Sequence, residues 1–477
     1  MKMFGYAAFA ALVLTATSLW AAEDPGIEFI GKGQIAANAL DKSGLTGQIC
    51  QKLPATACID KKTFGGFGSA MTYTGHDNVF LAVPDRGPFD GRTDVPYLDR
   101  FHFLHITTDT SIRPKDGAAV FNIATQLLDT RFLKNEANQN FVGDSSAFNP
   151  VNPLATLRFD PEGVVVSRDG TFFISDEYGP FINEFDRQGH LIRRIPVPAK
   201  FLIANPSGNV NASGDSVELF QSNNTSGRQA NRGMEGLAIT PDGRYLVGIM
   251  QSALIQDNAL TYPAEPASPS RVGLNNRILK YDLLTGETKE FVYTMNAISQ
   301  GKGVSEILAI DDHEFLVLER DNRSLVSPGA DAFSTSGANC CGLKKIYKIN
   351  LNGATDVSGV AVLPVNAAGL ASAVPPITSV SKVLFIDLLN PSYLVDNAGH
   401  TIKQVVAEKM EGMAWGPDLA DGRHVLYVIS DNDLNNFPTQ IFAFAIDGSA
   451  AGANITLVPQ DLPGPLYSPG QVKKAIQ

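Results

Sequence analysis

The chain repeats itself five times, and this repeat constrains its fold more than any other feature. Gly163-Val-Val-Val-Ser-Arg-Asp-Gly-Thr-Phe-Phe-Ile-Ser-Asp176 reads as a strand, a tight turn and a second strand ending in an acid. The design recurs at 236–250, at 307–319, at 412–431 with a longer turn, and at 69–85. The turns carry Asp-Gly or Asp-Asp, which suits hairpins that need positive φ. A third strand of alternating character follows each pair, at 100–106, 182–186, 277–282, 345–350 and 440–446, and a fourth often follows, as at 191–197 and 382–387. Period-two alternation between Gly/Asp/Asn turns is the signal of strands, and no long amphipathic helix is visible.

Four-stranded units repeated in this way predict an all-β chain folded as a single β-propeller of five or six blades. A pair of β-sandwiches is the competing architecture. Copies start 71 to 105 residues apart, more than the ~40–45 of a compact blade. Long loops must therefore be inserted, and 134–157, 206–231, 256–275, 325–339 and 365–380 are rich in Asn, Ser, Gly and Pro. Strand 27–30 precedes the first unit and is expected to complete the last blade and close the ring.

The first 22 residues have the layout of a secretory signal: Lys2, a short apolar run, then small residues ending in Trp20-Ala21-Ala22 before Glu23-Asp24-Pro25. The alternative, an uncleaved anchor, is disfavoured because Thr15, Thr17 and Ser18 interrupt the run. The expected organisation is a signal at 1–22 and one propeller domain at 23–477, secreted or periplasmic, with no stable membrane span after cleavage. The whole chain of 477 residues carries a formal charge of −11; cleavage removes one of its 38 basic residues and none of its 49 acids, leaving −12. That balance argues against nucleic acid and against docking on an anionic membrane. The expected partner is a small-molecule or ester substrate. Export permits disulfides, and Cys50, Cys58, Cys340 and Cys341 allow three connectivities.

The repeat also places acids. Glu162, Glu235, Glu306 and Glu411 precede the first strand of four units, and Phe67 stands there in the other. Asp85, Asp176 with Glu177, Glu319 with Asp321, and Asp431 with Asp433 end second strands, where one unit has Gln251-Ser252 instead. The start of one strand and the end of its antiparallel partner lie at the same end of a blade, so about eight carboxylates are expected around one channel mouth. Two unit charges ~6 Å apart repel by roughly 3 kcal/mol at an effective dielectric of ~20. Protonation, arginines or a metal must offset this. Arg86, Arg232, Arg277 and Arg320 stand at fitting places, and hard oxygen ligands suit Ca²⁺. Asp431-Asn-Asp433-Leu-Asn435 has alternating oxygen spacing but lacks the glycine and final Glu of a full calcium loop. The bland alternative is that these acids bond backbone amides and lock the blades together. Other chemistries lack their signatures: there is no Gly-x-Ser-x-Gly, no His-Glu-x-x-His, no phosphate-binding loop and no dinucleotide fingerprint.

Ser175-Asp-Glu-Tyr-Gly-Pro-Phe-Ile-Asn-Glu-Phe, Gly233-Met-Glu-Gly-Leu-Ala, Asn276-Arg-Ile-Leu-Lys-Tyr-Asp and Met410-Glu-Gly-Met-Ala-Trp-Gly-Pro-Asp-Leu resemble the phytase-like domain, described as having the esterase-like activity of phytase. The resemblance covers about residues 60–450. It implies a secreted propeller that hydrolyses phosphoesters or carboxylesters, by analogy with β-propeller phytases and their Ca²⁺ at an acidic channel mouth. On that reading Asp176, Glu177, Glu235 and Glu411 are the candidate catalytic groups. Asp85, Asp176, Glu235, Glu306, Glu319, Glu411, Asp431 and Asp433 are the candidate Ca²⁺ ligands, and Arg86, Arg277, Arg320 and Tyr178 the candidate substrate contacts. A non-catalytic ligand-binding propeller and a lactonase-like metal hydrolase are the competing functions.

Overall fold

A computed structural model describes residues 26–52, 57–117, 121–148, 156–204, 224–258, 273–296, 303–333, 342–462, 464 and 466–467. The signal at 1–22, Cys340 and Cys341, and parts of all the inserted loops except 365–380 lie outside the described residues. The chain opens with β1 (Ile27–Ile35) and a small hairpin of β2 (Gln48–Cys50) and β3 (Cys58–Asp60). Cys50 and Cys58 are paired partners across this hairpin and are joined by a disulfide.

Five four-stranded antiparallel sheets follow. The first holds β4 (Ala70–Tyr73), β5 (Val79–Val83), β6 (Arg100–Thr108) and β7 (Ile123–Phe132). The second holds β8 (Pro161–Val166), β9 (Phe172–Asp176), β10 (Ile182–Phe185) and β11 (Leu191–Ile195). The third holds β12 (Met234–Ile239), β13 (Tyr245–Met250), β14 (Asn275–Asp282) and β15 (Thr288–Thr294). The fourth holds β16 (Gly303–Ala309), β17 (Glu314–Arg320), β18 (Lys344–Asn350) and β19 (Ser381–Asp387). The fifth holds β20 (Lys409–Trp415), β21 (His424–Asp431) and β22 (Thr439–Ile446), and β1 pairs with β22 as its outermost strand. The chain is thus a five-bladed β-propeller whose ring is closed by its own N-terminal strand, which decides the blade number that the sequence left at five or six. Among the described residues one six-residue α-helix, Ala367–Ser372, accompanies the strands.

The burial pattern explains the ring. Strands in the middle of a blade touch neighbouring blades on both faces, so they read as unbroken apolar runs: β5 is Val-Phe-Leu-Ala-Val, buried throughout. One apolar cluster fills each interface between blades. Leu81, Phe101 and Phe103 meet Val164, Phe172 and Phe185 between the first two blades. Val165 and Phe173 meet Leu237 and Leu246 at the next. Val247 and Ile278 meet Ile307 and Val317, and Leu318 and Ile346 meet Met413 and Phe442. Ile429 and Ala443 meet Phe80 and Leu104, which returns to the first blade. The innermost strands β4, β8, β12, β16 and β20 touch in that cyclic order around the central channel.

Candidate functional site

The inner strands are built for close approach. β12 pairs Met234 with Met250 and Gly236 with Ile249, so Glu235 is an extra, bulged residue. β20 repeats this, with Glu411 between Met410 and Gly412. In β8 the register shifts between Pro161 and Val164, around Glu162-Gly163. The glycine after each Glu is needed for packing. A Cβ on Gly163 would lie 2.4 Å from the Leu237 nitrogen, and one on Gly236 would lie 2.6 Å from the Ile307 nitrogen. The Glu-Gly pair thus brings one inner strand against the next and places the carboxylate at the start of the strand, by the channel mouth.

Blade four departs from this pattern. Its bulge falls between Val304 and Glu306, so Ser305 takes the position of Glu235 and Glu411, and Glu306 takes the position of the glycine. Glu306 does not line the mouth. Its Oε1 accepts hydrogen bonds from the backbone N–H of Leu237 (3.1 Å) and of Ile307 (2.8 Å), which locks blades three and four together.

A cavity of about 120 Å³ lies at this mouth, and Asp85, Glu162, Glu177, Glu235, Glu408 and Glu411 all line it. Arg86, Arg232, Arg320 and Lys409 stand among them. Arg86 and Arg320 are engaged by protein carboxylates. Arg86 Nη1 donates to Asp160 (2.9 Å) and to Glu177 (3.4 Å), and its Nη2 to Asp90 (2.9 Å). Arg320 donates to Glu411 (2.5 Å), to Ser305 (3.2 Å) and to Asn322 (2.9 Å). Gln251, which replaces an acid of the repeat, spans two carboxylates: its Nε2 donates to Glu235 (2.8 Å) and Glu177 (3.2 Å).

Unmet valence at the mouth belongs to the acids. Carboxylate oxygens of Asp160, Glu162 and Glu177 lie within 4.8 Å of one another, all three residues buried. Glu162 has no hydrogen-bond or ion-pair partner among the described residues, and Glu235 Oε2 is buried without one. Burial, then the neighbouring acids Glu235, Asp160 and Glu177, pushes the Glu162 carboxyl well above its ordinary range. Burial followed by Glu177 and Glu411 does the same to Glu235, and burial followed by Asp431 to Asp85. Asp160 is pushed up to about 7, chiefly by burial, although Arg86 opposes the shift.

The structure brings Asp85, Glu177, Glu235, Glu411, Arg86 and Arg320 together and sets the other candidates apart. Asp176 sits behind the cavity and accepts the backbone N–H of Asp160 (3.1 Å), Tyr178 (3.0 Å) and Gly179 (3.0 Å), fixing the turn that presents Glu177. The Tyr178 hydroxyl donates to the Gly143 carbonyl (2.9 Å). Glu319 accepts from the Tyr293 hydroxyl (2.5 Å) and pairs with Lys382, away from the cavity. Asp431 accepts from Ser69 (2.7 Å), and Asp433 pairs with Lys409 at the rim. Arg277 is fully buried elsewhere in blade three, against Asp257 (2.7 Å) and Glu290 (2.8 Å), where no substrate reaches it. Asp160 is the group that sequence reasoning passed over, and Glu162 was noted there without a ligand role. The signal was present as Asp160-Pro161-Glu162, two acids at alternate positions across a strand start. Lys409, directly before Met410-Glu411, was missed in the same way.

The family model for the phytase-like domain, "Esterase-like activity of phytase", matches residues 62–434. The chain belongs to the phytase-like family. The match runs from just before β4 into the fifth blade and contains every acid of the cavity. An uncharacterized secreted protein of Arthroderma benhamiae is 27% identical to this phytase-like chain over 357 residues, covering 62% of the chain and 63% of that protein. The chain therefore spans less than two thirds of that relative's length. Among solved structures, a glycosyl hydrolase from Bacteroides ovatus aligns at 10% identity over 87% of this chain and 94% of its own, with a TM-score of 0.35. The calcium-binding protein regucalcin from Agrobacterium tumefaciens aligns at 9% identity over 83% and 93%, with a TM-score of 0.28.

Proposed function

We propose that this phytase-like propeller is a secreted, Ca²⁺-dependent hydrolase of phosphoesters or carboxylesters, with its site in the acidic mouth. The observation that carries this reading is unmet carboxylate valence in a buried cluster: Glu162 has no partner among the described residues, its carboxylate lies within 4.8 Å of Asp160 and Glu177, which share Arg86, and the orphaned Oε2 of Glu235 belongs to the same cavity. Acids that only lock blades take backbone donors, as both oxygens of Asp176 and Oε1 of Glu306 do. Hard oxygen donors in this number fit Ca²⁺, and Asp160, Glu162 and Glu177 would hold it. A bound Ca²⁺ supplies Lewis-acid polarisation of an ester oxygen and offsets the clustered negative charge. Arg86 and Arg320 hold Asp160, Glu177 and Glu411 in fixed orientations. Burial and the neighbouring Glu177 and Glu411 raise the Glu235 carboxyl well above its ordinary range, which suits it to hold a proton for a leaving group, and in its ionised form its orphaned Oε2 would add an oxygen to the cation. The signal-like leader and the secreted relative support export.

One observation favours a second reading, cation binding without turnover. Arg86 and Arg320 spend their donors on protein carboxylates, so neither presents an open clamp to an anionic substrate. One experiment separates the two. The protein is stripped with a chelator, titrated with Ca²⁺ by calorimetry, and assayed against phosphoester and carboxylester panels. Saturable binding with turnover lost on chelation and restored by Ca²⁺ is the expected result. Binding without turnover selects the second reading, and no binding overturns both.

A further inference from the structure

The opposite mouth of the channel holds a different cavity, of about 290 Å³. The acidic cavity is built from the starts of the inner strands, and this one from their ends, roughly 15–20 Å away at ~3.3 Å per residue. Each blade contributes an apolar side chain to its wall: Tyr73, Val165, Ile239, Leu308 and Trp415. Its roof is the segment that leaves the fifth blade and returns across the mouth, through Leu457, Val458 and Leu462. This strap is held at the strand ends. Val458 N–H donates to the Ile310 carbonyl (2.9 Å), Gln460 Nε2 to the Val166 carbonyl (2.5 Å) and Asp461 N–H to the Pro241 carbonyl (3.2 Å).

We propose that this second mouth binds a neutral, apolar small molecule. The volume is near the ~300 Å³ at which small-molecule pockets begin, and about twice that of the ~150 Å³ apolar cavity known to take up benzene. Space for two to three fused or linked rings, or for a short acyl chain, follows. Among the described residues Asp418 is the one carboxylate in the wall, which holds no Lys, Arg or His, and it is engaged with His424 Nδ1 (2.8 Å). The backbone carbonyls at the wall that accept the strap are already used. No unpaired charge remains there to repay the desolvation of a charged ligand, whereas the apolar side chains contributed by all five blades favour a neutral one. This site is independent of the acidic mouth and of any reaction there.

The test uses N-phenyl-1-naphthylamine as the neutral probe and 8-anilino-1-naphthalenesulfonate as its charged counterpart, with the full chain. Trp415 stands in the wall, and the other of the two tryptophans, Trp20, lies in the leader. The neutral probe is expected to bind saturably at one site, with energy transfer from tryptophan that Trp415→Phe removes while binding persists. Ala309→Phe is expected to fill the cavity and weaken binding at least tenfold, with far-UV circular dichroism confirming the fold. Val458→Phe, at a roof position 45% exposed and therefore tolerant, should weaken binding in the same direction. The sulfonate should bind at least tenfold more weakly than the neutral probe. Unsaturable binding, equal binding of the sulfonate, or indifference to a folded filling variant would overturn the proposal.

Discussion

At the scale of single residues, the decisive contrast is between acids that are satisfied and acids that are not. Glu306 and Asp176 accept two and three backbone N–H groups, and removing either carboxylate leaves those buried donors unpaired, at about 1–3 kcal/mol. Glu235 is different, because its Oε2 has nothing to lose. Glu235→Gln is expected to leave the thermal midpoint of the Ca²⁺-free protein unchanged or higher at pH 8, since a costly buried carboxyl is replaced by a neutral amide. The same change should weaken Ca²⁺ binding at least tenfold by calorimetry. A lowered midpoint with unchanged Ca²⁺ affinity would make Glu235 a structural residue. The sequence could show that acids recur at strand ends, because that is a matter of order along the chain. It could not separate Glu235 from Glu306, because the separation is a one-residue difference in where a bulge falls. Nor could it place Arg277, whose partners Asp257 and Glu290 come from a loop and a neighbouring strand. A charged residue at a strand start looks the same in sequence whether it faces the channel or a buried counter-ion.

At the scale of elements, the recurring Glu-Gly of the inner strands is one device with two functions. The bulge carries the Glu to the mouth, and the glycine admits the backbone of the next inner strand. Gly236→Ala therefore forces its new methyl against the Ile307 nitrogen and the Glu306 backbone, at 2.6 and 2.8 Å. Overpacking of this kind costs about 1–3 kcal/mol. The midpoint of chemical denaturation should fall accordingly, and an unchanged midpoint would mean that the inner strands yield more easily than their spacing suggests. The strands themselves were legible because each obeys period-two alternation or a short unbroken apolar run, and their turns carry the residues that positive φ demands, such as Gly170 and Gly243. The β2–β3 hairpin was not legible as strands, since three residues on each side carry too little pattern. The Cys50–Cys58 bridge inside it was visible only as one of several possible pairings.

At the scale of the whole molecule, the ring closes by joining the two ends of the chain, and the acidic mouth sets how its stability depends on pH. β1 pairs with β22 over eight positions, so the fifth blade is complete only when both termini are present. Deleting residues 1–35 should expose the β22 edge and give a lower thermal midpoint with aggregation on heating. The pH dependence follows from the mouth. Burial first, then neighbouring acids, raises Asp160 and Asp431 from 3.8 to about 7; Asp176 is raised by burial to about 6. Each of these carboxyls keeps its proton to a higher pH in the folded protein than in the unfolded chain. Between pH 4 and 7 the folded state therefore binds more protons, and stability declines as pH rises. The contribution is complete below the unfolded value and is lost on passing through about 7. The Ca²⁺-free protein should accordingly melt at a lower temperature at pH 8 than at pH 5, by on the order of a few degrees. Ca²⁺ competes with the protons on Asp160 and Glu162, so its stabilisation should be small at pH 5 and larger at pH 8. Thermal scans with and without Ca²⁺ at the two pH values check both signs. A Ca²⁺-induced shift independent of pH would place the cation away from these carboxylates.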